Sequence, residues 1–274
     1  MNSNINPLDP SFLNQSARTR GTILRSGRAL ANRRNLAAGL VSLALLAGAA
    51  ACGSDDEGAK LSAAACDAVA TLDGAMSSAP EDPAAIGPFV NDSLMPSVMT
   101  LVSELDGDER DAAETMHRTL ESVATSGDPS VLHAPETAAA QATIGKAVHE
   151  GCDLVAVDVV AKEYRYEHAP DTLAAGRVSF ALTNEGVEDH EMVLFKRAEG
   201  VTESLDELLQ LPQDQAMGKM QFTGVAFGSP GTTNYVTVDL EPGTYFIVCF
   251  LPQGGGEDGA PHFMSGMQHT ITVS

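Results

Sequence analysis

Two periods of hydrophobicity share this chain. Between Asp82 and Leu105 the apolar residues Ile86, Phe89, Val90, Leu94, Val98, Leu101, Val102 and Leu105 recur every three or four positions, the spacing of one helical face. Asp82 supplies an N-cap carboxylate and Pro83 suits a first turn, while Pro96 lacks a backbone donor and predicts a break. Ala113, Met116, Leu120 and Val123 predict a second helix, Pro135 opens a third over 135–150, and Ala63–Leu72 supplies a fourth. Helices of this kind bury their stripes against one another, so residues 61–152 predict a small antiparallel bundle. His117, His133, His149, Met95, Met99 and Met116 lie in it, but no His pair stands at i,i+4, and methionines at helical spacing fill core space.

After Cys152 the period falls to two. Strands are predicted at Leu154–Val160, Val178–Leu182, Glu191–Phe195, Tyr235–Leu240, Tyr245–Phe250 and His269–Val273. Turn residues separate them at Ala175-Gly176, Asn184-Glu185-Gly186 and Glu241-Pro242-Gly243, with one short helical insert at Ser204–Leu211. Short strands at this density predict an antiparallel β-sandwich over 153–274, and the whole is an α+β chain.

The first fifty residues follow neither pattern. Residues 35–51 are an apolar run behind Arg33-Arg34 that ends in small residues before Cys52, the layout of a signal peptide spanning 1–51. Cys52 stands where bacterial lipoproteins carry their lipidated cysteine, and the acidic tether of 52–60 resembles those of actinobacterial lipoproteins. Ala49 occupies the place where that pattern has Leu, Val or Ile, and Ala49-x-Ala51 also suits ordinary signal peptidase, which would give a secreted form. Arg33-Arg34-Asn35-Leu36 resembles a twin-arginine export signal. The expected place is the outer face of the cytoplasmic membrane, held by an N-terminal lipid.

Export makes the charge lopsided. Six of the 16 basic residues precede Cys52, so residues 53–274 keep 10 basic groups against 36 acidic ones. Such a surface repels phosphate backbones and anionic lipid, which argues against nucleic-acid binding and favours a protein partner with a basic patch.

Four cysteines then need assignments. Cys52 goes to lipid, and Cys66 and Cys152 bracket the helical half, where a disulfide would close a long loop. Cys249 is left single. It closes one predicted strand, His190 opens another, and His262 and Met267 precede the last. Two imidazoles, a thiolate and a distant thioether form the trigonal set that suits one copper ion alternating between Cu(I) and Cu(II). Met264 stands too close to His262 to share a metal with it, and His269 alternates into the last strand, so both are left out.

These residues carry a family resemblance. The approach Asn184-Glu185-Gly186-Val187-Glu188-Asp189-His190, the strand Gly243-Thr244-Tyr245-Phe246-Ile247-Val248-Cys249, and the stretch from Pro261 to Val273 resemble cupredoxins of the plastocyanin and azurin type. The resemblance covers residues 154–274 and implies a Greek-key sandwich with a type 1 copper site for one-electron transfer. Twelve residues separate Cys249 from His262, where the family has only a few, and the insert contains Gly254-Gly255-Gly256. Copper scavenging or delivery, aided by Met217, Met220 and Met264, is a second reading, and a metal-free interaction domain a third. The chain carries no His-x-His pair, Gly-x-Ser-x-Gly elbow, His-Glu-x-x-His or phosphate-binding glycine loop, and is not expected to be an enzyme.

Overall fold

The computed structural model describes residues 60–76, 78–80, 82–256 and 258–274. The expected signal peptide, the expected lipidation site Cys52 and the expected tether up to residue 59 lie outside the described residues. Among those described, no helix is long and apolar enough to cross a membrane.

The helical half folds as α1 (Ala63–Met76), α2 (Pro83–Phe89), α3 (Met95–Glu104), α4 (Gly107–Ser126) and α5 (Pro135–Gly151). Asp82 caps α2 by accepting the Ala84 N–H at 2.9 Å. The break attributed to Pro96 falls one turn earlier, in a π-helical turn at Val90–Leu94, and Pro96 itself lies in the first turn of α3. A proline ring excludes the ordinary bond to the carbonyl four residues back, here Asp92, and the ladder widens there. Gly127, at φ 69°, ends α4 with the left-handed cap that other residues adopt only under strain. Val98, Leu101, Leu105, Ala113, Met116, Leu120, Ile144 and Val148 meet in one core, and a disulfide joins Cys66 to Cys152.

Among its described residues the other half has nine strands: β1 (Val155–Lys162), β2 (Arg165–Glu167), β3 (Thr172–Leu173), β4 (Gly176–Asn184), β5 (His190–Arg197), β6 (Met220–Gly228), β7 (Thr233–Leu240), β8 (Gly243–Val248) and β9 (Gln268–Val273). They form two sheets, ordered β2-β1-β4-β7 and β3-β9-β8-β5-β6. The sheets are mixed and not antiparallel throughout as expected: β1 runs parallel to β4, and β3 to β9. Side chains alternate in the same way whichever direction a neighbour runs, so the period of two carries no information about it. The single insert expected at Ser204–Leu211 is two short helices, α6 (Leu205–Leu209) and α7 (Gln213–Met217). Ser204 and Glu207 close a capping box at the start of α6.

Between the sheets lie Val159, Phe180, Leu182, Met192, Leu194, Val236, Tyr245, Ile247 and Ile271. Neither sheet faces water on its other side alone. Val193, Phe195, Phe246 and Val248, on the far face of the five-stranded sheet, pack under Leu205 and Leu208 of α6 and Ala216 of α7. The far face of the four-stranded sheet receives the helical half, whose α1 and α5 lie on β4 and β7. Gly145 of α5 makes that approach possible, since a Cβ there would stand 2.5 Å from Tyr235 Cβ. Arg177 of β4 pairs with Asp67 of α1 at 2.6 Å, and His149 Nδ1 lies 3.0 Å from Ser179 Oγ. The Thr237 N–H on the free edge of β7 donates to Asp73 of α1 at 2.8 Å, which pairs an edge group that would otherwise need water.

Candidate metal centre

The strand ends bring three donors to one end of the sandwich. His190 is the first residue of β5, Cys249 follows the last residue of β8, and His262 opens a 3₁₀ turn that leads into β9. One ligand atom from each lies within 4.8 Å of the other two, and all three residues are fully buried. His190 Nδ1 and His262 Nδ1 are 3.1 Å apart, and Cys249 Sγ is 3.3 Å from His262 Nδ1. Both imidazoles therefore turn the same nitrogen inward, toward a thiol that forms no disulfide.

Backbone bonds weave the ligand segments together. The Cys249 N–H donates to Met267 O at 3.1 Å, Phe263 N–H to Cys249 O at 3.0 Å, and Met267 N–H to His262 O at 3.3 Å. Met267 is fully buried in the same core cluster as Cys249. Met264, by contrast, is 69% exposed, and His269 turns its Nε2 to Pro170 O at 3.1 Å. His269 is half-buried and stays outside the cluster. Met220 is buried beneath α6 and α7 and Met217 packs there too, which gives both a packing role.

Electrostatics in this pocket follow from burial. Loss of hydration, with the neighbouring His262 second, holds the His190 pKa below the ordinary imidazole value, and loss of hydration does the same for His262. Burial, and next Glu191, push the Cys249 thiol well up. The donor set is thus two neutral imidazoles and a protonated thiol, which becomes a ligand only by releasing its proton. Neutral nitrogens facing one thiol in a buried site fit a soft or borderline ion of the copper type, and no carboxylate joins the three-residue cluster to favour a hard cation.

Residues the sequence reading had not singled out surround the donors. Glu191, fully buried beside His190, accepts the Phe250 N–H at 2.9 Å, and its own N–H points at Cys249 Sγ at 3.5 Å. Its second carboxylate oxygen has no partner, and burial raises its pKa to about 7. A charged residue inside an apolar strand was the available signal. Glu188 lies 3.1 Å from His262 Nε2, and Tyr164, a non-glycine residue at φ 62°, sets its ring edge-on to His262 with centroids 4.9 Å apart. Gly186 lets its loop lie against His190, because a Cβ there would come within 2.8 Å of His190 Nε2.

No family model matches the chain, and no curated protein matches it. Solved structures do. Reduced auracyanin from Roseiflexus castenholzii is 19% identical, with a TM-score of 0.30 over 44% of this chain and 97% of that one. Auracyanin A, a "blue" copper protein from Chloroflexus aurantiacus, is 20% identical, with a TM-score of 0.28 over 44% of this chain and 98% of its own. A rusticyanin variant pair is 18% identical, with a TM-score of 0.28 over 43% of this chain and 77% of that one.

Proposed function

We propose that residues 153–274 hold a type 1 copper site of the cupredoxin kind, in a lipoprotein that passes single electrons at the cell surface. The observation that carries this reading is the convergence of one buried thiol and two buried imidazole Nδ1 atoms from the start of β5, the end of β8 and the turn that leads into β9. His190, Cys249 and His262 would be the strong ligands and Met267 the weak one. Bound copper would supply Cu(I)/Cu(II) chemistry. The chain's own part is to exclude water, to keep both imidazoles neutral and to fix the ligand segments by backbone bonds, so that little moves when the charge changes.

Cys249 must give up its proton to become a ligand, so metal uptake releases a proton and strengthens as pH rises. The surplus of carboxylates would draw in a redox partner with a basic patch, and such attraction weakens with salt. A lipid on Cys52 would keep the pair beside the membrane, while cleavage after Ala51 would free it. The exposed thioether of Met264, two residues after His262, favours a second reading in which copper itself is handed on.

The deciding experiment is cupric titration of residues 53–274 beside a Cys249→Ser variant, read by visible absorption and electron paramagnetic resonance. The expected result is one equivalent of copper with an intense blue thiolate band that the variant lacks. Copper without that band would move the reading to storage or delivery, and no copper at all would make the sandwich a metal-free scaffold.

A further inference from the structure

Glu188 touches three separate parts of the site. Its Oε2 lies 3.1 Å from His262 Nε2 and accepts the Gly254 N–H at 2.8 Å, while its Oε1 accepts the Tyr164 hydroxyl at 3.2 Å. Backbone N–H and hydroxyl donors on both oxygens leave this carboxylate the role of acceptor, so the ring nitrogen that faces it carries the hydrogen. His262 Nδ1 then carries a lone pair, directed at Cys249 Sγ and His190 Nδ1. His190 has no such holder. Its Nε2 is buried without a hydrogen-bond partner, 3.7 Å from a Glu163 oxygen that already accepts the Val187 and Glu188 N–H groups.

Glu188 is itself fixed from behind. Its N–H donates to Glu163 Oε1 at 3.3 Å, and its carbonyl accepts from Asn184 Nδ2 at 2.7 Å. Asn184 also bonds Gly228 O at 2.7 Å, which ties the loop to the end of β6. Gly254 belongs to the segment inserted between Cys249 and His262, and His262 is fully buried. The carboxylate therefore joins the loop before His190, the inserted loop and the His262 ring at a single point.

We propose that Glu188 is a positioning residue: by taking the Nε2 hydrogen of His262 it sets the tautomer that makes Nδ1 a ligand, and by holding Gly254 it latches the inserted loop over that ring. A carboxylate on the far nitrogen also raises the basicity of a ligating imidazole, which favours the more highly charged state of a bound ion. The identity of the ion rests on the copper reading above, whereas the tautomer does not.

The test has a metal-free part and a copper part. In the apo protein, nitrogen-15 NMR of the histidine rings should find the hydrogen of His262 on Nε2 in the wild type and in Tyr164→Phe. Glu188→Ala should give a mixture of tautomers and faster amide exchange at Gly254. With copper, competition against a Cu(I) chelator should show Glu188→Ala binding about 10–100-fold more weakly, the range for losing the partner of a ligating histidine. Its reduction potential should rise, and Glu188→Gln should fall between the two. A wild-type ring with the hydrogen on Nδ1 overturns the proposal without any variant, as does Glu188→Ala with tautomer, affinity and potential all unchanged. If the wild type takes up no copper while the tautomer still depends on Glu188, the copper reading fails and the positioning role stands.

Discussion

Replacing Asp73 by asparagine should make the protein more stable in mild alkali and leave it nearly unchanged in acid. Asp73 projects from α1 onto the edge of β7, where it accepts the Thr237 N–H at 2.8 Å. Burial raises its pKa from the ordinary carboxylate range to about 7, and the Thr237 bond only partly opposes this. The folded protein therefore keeps a proton between pH 4 and 7 that the unfolded chain has already released. Stability from this group is complete below pH 4, falls as pH climbs through that window, and is level above 7. A three-unit shift corresponds to about 4 kcal/mol, and because Asp73 is only half-buried we expect roughly 2 kcal/mol after solvent screening. Asparagine keeps an oxygen for Thr237 and cannot ionise. Urea unfolding of both proteins at pH 4 and pH 8, followed by circular dichroism, isolates the effect as a difference of differences. Other titrating groups, Glu191 among them, cancel between the two proteins. Stability profiles that stay parallel within about 0.5 kcal/mol would refute the assignment of a buried, proton-holding contact between α1 and β7.

Other expectations follow from the same structure. Cys66→Ala with Cys152→Ala removes a cross-link spanning 86 residues, a loss of about 4–5 kcal/mol on the loop-entropy account. A urea midpoint that does not fall would show the reduced chain to be held as tightly without it. Cys249, fully buried and with its thiol pKa pushed up, should resist iodoacetamide in the native apo protein and react on unfolding, as mass spectrometry would report. Rapid native alkylation would contradict the closed pocket. Gly145→Val drives a side chain into Tyr235 and should cost about 1–3 kcal/mol by the overpacking rule, read by thermal unfolding.

Much of this architecture was written in the spacing of apolar residues, and the rest was hidden for physical reasons. β4 and β5 are buried along nearly their whole length, polar Ser179 and Glu191 included, because helices cover the far faces of the sheets at these strands. β6 went unread. Gly224 interrupts its pattern where a Cβ would come within 2.9 Å of Val238, and the register with β5 shifts between Leu194 and Phe195. The three clustered donors were legible because His190 and Cys249 stand at the ends of predicted strands, His262 lies in the stretch just before the last one, and the residue types are rare. Glu188 was not, because one carboxylate in an acidic loop looks solvated in sequence, and its partners Gly254 and His262 lie 66 and 74 positions away.

The helical half begins and ends at the same place. Leu61 donates its N–H to Gly151 O at 3.0 Å, and the Cα atoms of Cys66 and Cys152 are 6.0 Å apart. Topologically this makes residues 62–151 a stapled excursion, and a chain running from residue 61 straight into β1 would leave the strand order untouched. Shortening it that way would bare Tyr235 and Ser179 and strip Thr237 of its acceptor, so a redesigned sandwich would need a polar outer face on β4 and β7. The same stapled unit could be grafted onto another sheet only if that sheet presented a ring, as Tyr235 does here, to the notch that Gly145 leaves on α5.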